Sequence, residues 1–216
     1  MKIVIDGNIG AGKTTQLSLL QKLGGIVFRE PIEEWPLREF YEDPVKGIFP
    51  LQMAVLRTIV PQGPGFYERS LLSSRWVFWE WAKRRGIIEH EKTYEYFYEH
   101  HKWSPDLYIF LSKSPEDCYL GISSRKQVGD DKVTLQYLQE LDLLYKELLE
   151  KIECKVYVID ASKSPGAIHT EILHILNNNE CPEMLFSDNT WKKVQELGHS
   201  RGEVCCPSRS DMCRLS

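Results

Sequence analysis

Apolar residues along this chain fall into two regimes, short β-branched runs and longer stripes at helical spacing. Lys2 to Asp6 is mostly β-branched, as in a short strand buried on both faces, and it runs straight into a glycine-rich turn. Residues 13 to 23 place Leu17, Leu20 and Leu23 on one helical stripe, which Gly24 and Gly25 stop. Ile26 to Phe28 reads as a second buried strand, ending at Arg29, Glu30 and Pro31. After Pro50 the stretch LQMAVLRTIV predicts a helix apolar around most of its circumference, and the Pro/Gly segment 61–65 interrupts it. Phe66 to Ser70 closes a third strand before LLSSRWVFWEWAKRRG, a helix carrying three of the six tryptophans. A further helix is expected over Glu89 to Trp103, strands over 106–112 and 155–160, and an amphipathic helix, TLQYLQELDLLYKELLEK, between those strands.

Strands interleaved with helices predict an α/β fold, a three-layer sandwich in which helices cover both faces of a five-stranded parallel sheet and ligand loops gather at the carboxyl ends of the strands. From Asn177 onward the periodicity fades, so residues 1–176 are assigned to the folded domain and 177–216 to a peripheral or weakly ordered tail.

Composition narrows the partners. The chain has 216 residues, 42% hydrophobic and 27% charged, which suits one domain with a substantial core. Its formal charge of -4 supplies no general field for nucleic acid. The N-terminal apolar run is too short for a signal peptide or membrane span, so a cytoplasmic protein without a membrane partner is expected. Cysteines at 118, 154, 181, 205, 206 and 213 fit no standard zinc spacing, which favours reduced thiols.

The chemistry begins at residues 7–14, GNIGAGKT, a glycine followed by four residues and then Gly-Lys-Thr. Gly7, Gly10 and Gly12 let the backbone turn tightly, so that it and Asn8, Ile9 and Ala11 can aim N–H groups at phosphates. Lys13 would reach the terminal phosphates of ATP, Thr14 would ligate Mg²⁺, and Thr15 would extend the cradle into the helix. The strand before the motif and the helix after it mark a P-loop NTPase-type fold. No Asn-Lys-x-Asp base-reading segment occurs, which argues against a GTPase switch. Glu30, at the carboxyl end of the second strand, could accept the proton of a substrate hydroxyl, although its position alone fits a surface glutamate equally well.

Taken in order, GNIGAGKTT, REPIEEW, LQMAVLRT, YERSLLSSRWVF and TLQYLQELDLLYKELL resemble the deoxynucleoside kinases, from Met1 to about Leu176. The resemblance implies transfer of the ATP γ-phosphate to the 5′-hydroxyl of a deoxynucleoside, with Glu30, Arg69 and Lys13 as catalytic residues. By the same likeness Arg69 steadies Glu30 and contacts the reacting hydroxyl, and Glu68 joins Thr14 near Mg²⁺. Tyr41 matches the residue that binds the sugar 3′-hydroxyl, Gln52 the one that pairs with the base, and Phe78 the one that stacks on it. Trp35 and Ile9 close the pocket, and Val55 and Ser74 line its base end. Purine-using relatives carry an arginine where Ile59 stands and an aspartate where Ser74 stands, so pyrimidines, thymidine and deoxycytidine, are the expected substrates.

A short lid departs from the family pattern. In GISSRKQVGDDKVTL, Arg125 falls on an expected arginine and should contact donor phosphates, with Lys126 beside it as a second candidate, but Gly121, Ser123 and Gln127 fall where other arginines would be expected. Gly129-Asp130 replaces a Glu-Glu pair, leaving Asp130 to reach the sugar 3′-hydroxyl. Relatives dimerise through two helices, implying a homodimer through those near 71–84 and 135–150, and the grouping of Trp76, Trp79 and Trp81 suggests surface left for a partner. Rival readings are a nucleoside monophosphate (thymidylate) kinase and a non-catalytic P-loop nucleotide-binding protein.

Overall fold

A computed structural model describes residues 1–123, 129–179 and 185–186. Five strands, β1 (Lys2–Gly7), β2 (Val27–Phe28), β3 (Gly65–Glu68), β4 (Leu107–Ser112) and β5 (Lys155–Asp160), form one sheet in the order β2-β3-β1-β4-β5, every pairing parallel. Strand periodicity sorts the core into two layers. Ile3 and Ile5 of β1, with Leu107, Ile109 and Leu111 of β4, face one side, where α1 (Lys13–Lys22) and α9 (Pro165–Asn178) pack through Leu17, Leu20, Ile172 and Leu176. Val4, Tyr108 and Phe110 face the other side, covered by α3 (Pro44–Thr58), α6 (Glu91–His101) and α8 (Leu135–Leu149), among others. The expected three-layer α/β sandwich is therefore the fold.

Three local expectations change. The helix expected after Pro50 is α3, which starts earlier, at Pro44, where Asp43 caps it by accepting from the Lys46 N–H at 3.3 Å. Pro50 sits inside it on the exposed side, and the carbonyl it leaves without a partner, that of exposed Lys46 one turn earlier, can be taken up by water. Short α2 (Leu37–Glu42), unanticipated, packs so closely on α3 that a Cβ at Gly47 would lie 2.3 Å from the Phe40 Cα.

The helix over 71–84 is not uniform. It is α-helical in α4 (Leu71–Ser73), widens to a π-helix over Ser74–Trp79, and returns to α in α5 (Glu80–Arg84). Its tryptophans are better buried than their grouping suggested. Trp79 is fully enclosed and stacked on Tyr94 at 3.9 Å, Trp81 is partly buried and donates to Glu140 at 2.7 Å, and Trp76 lies under the guanidinium of Arg75. Within one chain α5 is also bound to α8, through Arg84 to Glu147 and Arg85 to Glu140.

At the C-terminal end, α9 runs to Asn178, past the expected boundary at 176. Of the three described residues beyond it, Asn179 caps the helix and Leu185 and Phe186 join the core. Leu185 and Phe186 are buried, the Leu185 carbonyl accepts from the Ile26 N–H at 2.9 Å, and the Phe186 ring meets Phe66 edge-on at 5.5 Å. They cover edge strand β2, whose two residues could not protect that flank alone. Among the described residues no helix is long and apolar enough to cross a membrane.

Candidate active site

The carboxyl ends of β1 and β3 and the start of α1 converge on a cavity of about 750 Å³. β1 ends in the P-loop. Gly10 and Gly12 take φ of 85° and 98°, which side chains disfavour, and a Cβ at Gly10 would lie 2.4 Å from the Cys118 carbonyl oxygen. The Asn8 side chain pins the loop, its Nδ2 donating to the Leu138 carbonyl at 2.9 Å and its Oδ1 accepting from the Ile9 N–H at 2.8 Å. The Lys13 ammonium is buried and donates to the Gly7 and Asn8 carbonyls, each at 2.9 Å. Burial first, and then the nearby Arg69 charge, lower its pKa to about 8. Thr14 donates its hydroxyl to Glu68 Oε1 at 2.6 Å, so two hard oxygen donors meet at the mouth of the cradle.

Glu30 and Arg69, 39 positions apart, meet at 2.5 Å between Oε2 and Nη1, with both side chains 9% exposed. Burial raises the Glu30 pKa above the ordinary carboxylate value, and the Arg69 charge opposes this without cancelling it. Arg69 itself adopts φ of 62°, a left-handed conformation that costs free energy in a non-glycine residue. Its guanidinium is held from behind as well. Nε donates to the Tyr145 hydroxyl at 3.1 Å and lies 3.5 Å from Asp6, while Nη2 reaches the Gly7 carbonyl at 3.5 Å. Burial disfavours the arginine's charge, but Glu30, Tyr145 and Asp6 outweigh that and hold its pKa well above normal.

Asp6 completes the arrangement and was not singled out from sequence. It is fully buried and accepts from the Gly7 N–H at 2.7 Å, Tyr108 at 2.6 Å and Tyr145 at 3.2 Å. An acid closing an otherwise apolar strand was the available signal, because such a group needs several donors to stay buried.

The other end of the cavity is more apolar. Leu51, Gln52, Val55, Ile59, Ser74 and Phe78 line it. Gln52 is buried, and its Oε1 accepts from the Ser74 hydroxyl at 2.6 Å, with the Tyr94 hydroxyl 3.4 Å beyond. Trp35 is fixed by its Nε1 donating to Thr58 at 2.9 Å, and the Phe78 ring lies 5.2 Å from the Arg69 guanidinium carbon. Tyr41 packs against Gly129, where a Cβ would come within 2.3 Å of its ring, and Asp130 follows at the same rim. Of the residues expected at the site, Gly7 and Asn8 shape the cavity from beneath, Arg125 lies outside the described residues, and the rest line it. Arg29, Lys113, Ser162 and Lys163 also line it, without having been anticipated.

The deoxynucleoside kinase family model matches residues 3–179. The chain belongs to that family. This kinase is 29% identical over 228 residues to the deoxyguanosine kinase of Dictyostelium discoideum, covering 93% of this chain and 79% of that one. It is 31% identical over 186 residues to mitochondrial thymidine kinase 2 of Macaca fascicularis, covering 74% and 70%. In structure it is similar to a deoxyadenosine kinase from M. mycoides solved with dCMP and dCDP, with a TM-score of 0.74 at 26% identity over 82% of this chain and all of the other. The kinase thus transfers phosphate from ATP to a deoxynucleoside on a P-loop fold, as the sequence led one to expect.

Proposed function

We propose that Glu30 is the general base of a pyrimidine-preferring deoxynucleoside 5′-kinase. The observation that carries this is the buried Glu30–Arg69 pair beside Lys13, at the boundary between the P-loop and the apolar pocket. The 5′-hydroxyl oxygen attacks the γ-phosphorus, the bond to the β-phosphate oxygen breaks, ADP leaves, and the hydroxyl proton passes to Glu30. A raised pKa suits a base that must take up a proton and later release it. Arg69 orients Glu30 and offsets charge on the transferring group, while Lys13 moves from its carbonyl contacts to the terminal phosphates. Tyr41 and Asp130 hold the sugar 3′-hydroxyl, and Trp35, Phe78 and Ile9 enclose the nucleoside.

Thr14 and Glu68 suit Mg²⁺, a hard cation that takes few protein oxygens and completes its shell with water and phosphate. Bound there, it would neutralise phosphate charge. Among the described residues no cluster of three His, Cys, Asp or Glu side chains could form an all-protein cage, in keeping with a cation shared with the nucleotide.

For the base, Val55 and Ile59 form an apolar wall without the charged pair of purine-using relatives. Gln52 offers one acceptor and one donor, complementary to the edge of thymine or, with the amide rotated, cytosine. The Ser74 hydroxyl, a donor to Oε1 here, can turn to accept from Nε2 and support either orientation. A monophosphate acceptor would bring nearly two negative charges beside Glu30, whose Arg69 partner is already engaged. Two copies of the chain pair, in this reading, through the outer faces of α4–α5 and α8, where Leu143 is 59% exposed.

The test is kcat/KM for thymidine, deoxycytidine, deoxyadenosine, deoxyguanosine and thymidine monophosphate at fixed ATP, with Gln52→Ala alongside. Both pyrimidine nucleosides should lead, and the variant should lose about 1–3 kcal/mol of transition-state binding on them. A purine or the monophosphate ranking first, or no loss in Gln52→Ala, would refute the assignment.

A further inference from the structure

Lys113 stands apart from the other cations of the cavity. Lys13 is engaged by two carbonyls, Arg29 by Ser18 and Gln21, Arg69 by Glu30 and Tyr145, and Lys163 by Glu171. The Lys113 ammonium has no hydrogen bond or ion pair among the described residues, although it is partly buried and lines the cavity. The backbone that carries it is fixed. Lys113 follows β4 directly, and the next residue, Ser114, accepts from the Asp117 N–H at 3.1 Å through its side chain and from the Cys118 N–H at 2.9 Å through its carbonyl. Of the two acids nearest in sequence, Glu116 accepts from the Gln139 side-chain amide at 3.1 Å and Asp117 from the Ser114 hydroxyl at 2.8 Å.

Where the ammonium lies is more telling. A Cβ built on Gly121 would be 4.0 Å from Lys113 Nζ and 3.1 Å from the Gly10 carbonyl oxygen of the P-loop. Because Gly121 has no side chain, the space between α7 (Pro115–Ser123) and the P-loop is open to the lysine. Cys118 lies beneath both cations. Burial raises its thiol pKa to about 11, and the charges of Lys13 and Lys113 both pull it down. Two ammoniums therefore flank the anion cradle, Lys13 held by loop carbonyls and Lys113 without a partner among the described residues.

We infer that Lys113 is a binding residue for the polyphosphate of the donor nucleotide, supplying from the β4–α7 turn a cation that the lid helix does not carry at Gly121. This rests on the donor site lying in the P-loop, as proposed above. A flexible ammonium suits the task, since it can follow the phosphates as a point charge without a fixed fork geometry. With no ion pair among the described residues, Lys113 gives up none of those contacts on binding.

Equilibrium binding of ATP, ADP and adenosine to the full-length protein with Mg²⁺ tests this, comparing wild type, Lys113→Ala and Lys113→Arg. Lys113→Ala should weaken ATP and ADP about tenfold, leave adenosine unchanged and leave the deoxynucleoside KM unchanged, while Lys113→Arg should largely restore the triphosphate. Unchanged ATP affinity in Lys113→Ala would overturn the inference. So would an equal loss on adenosine, which would place the ammonium at the base. Failure of the wild type to bind ATP would instead overturn the donor-site reading itself.

Discussion

The two halves of the cavity are built differently. On the side proposed above for the acceptor, the polar groups are already paired within the protein. Glu30 is bound to Arg69, Arg69 to Tyr145, and Gln52 to Ser74, with Asp6 and Tyr108 behind them. On the donor side Lys13 is folded back onto loop carbonyls, Lys113 has no described partner at its ammonium, and Gly121 contributes no side chain. The contrast suits the tasks proposed for each side. A base and the group that orients it must be in place when the hydroxyl arrives, because small misplacements are costly in rate. Phosphates bring their own charge and can gather mobile cations around a rigid glycine loop.

Breaking the acceptor side should have the largest effect. Arg69→Ala leaves Glu30 and Asp6 buried without their shared cation, so stability should fall by about 3–5 kcal/mol and kcat/KM by roughly 10³-fold. Thermal melts and steady-state kinetics on the same preparation check both.

Lys13→Met probes the donor side and should stabilise the unliganded kinase by about 2 kcal/mol near neutral pH while abolishing ATP binding. The sign follows from the lowered pKa. Between about 8 and 10.5 the unfolded chain still holds the Lys13 proton and the folded protein has released it, so wild-type stability gains a contribution as pH rises through that window. Denaturant unfolding from pH 7 to pH 10 should show this contribution in wild type and lose it in Lys13→Met.

Ser74→Ala should have the smallest effect, a rise of roughly three- to tenfold in pyrimidine nucleoside KM at nearly constant kcat. Initial-rate kinetics would show it. The variant frees the Gln52 amide without touching the reacting groups.

The residues legible from spacing alone are those whose neighbours in space are also neighbours along the chain, whereas Glu30 and Arg69, 39 positions apart, were legible only through the family resemblance. The P-loop is one turn between β1 and α1, and its spacing states the geometry directly. The five strands were readable because each carries a short, bounded apolar run. Asp6 was not, since its partners Tyr108 and Tyr145 lie 102 and 139 positions away and are brought to it only by β4 and α8. Lys113 was hidden for a related reason. A lysine after a strand looks like any surface charge until the fold sets it beside Gly121 and the P-loop. Pro50 misled because the stop rule for proline ignores that an exposed carbonyl can turn to water. Leu185 and Phe186 were missed because the short apolar run of residues 184–186 carries no periodicity, although both end in the core.

In the proposed reaction Glu30 takes the proton of the 5′-hydroxyl. Single-turnover phosphoryl transfer by Glu30→Gln, at saturating ATP and thymidine with thymidine affinity measured separately, tests it most directly. A rate lower by roughly 10²-fold or more with affinity within a fewfold of wild type is the predicted result. Near wild-type transfer in a folded variant would contradict it.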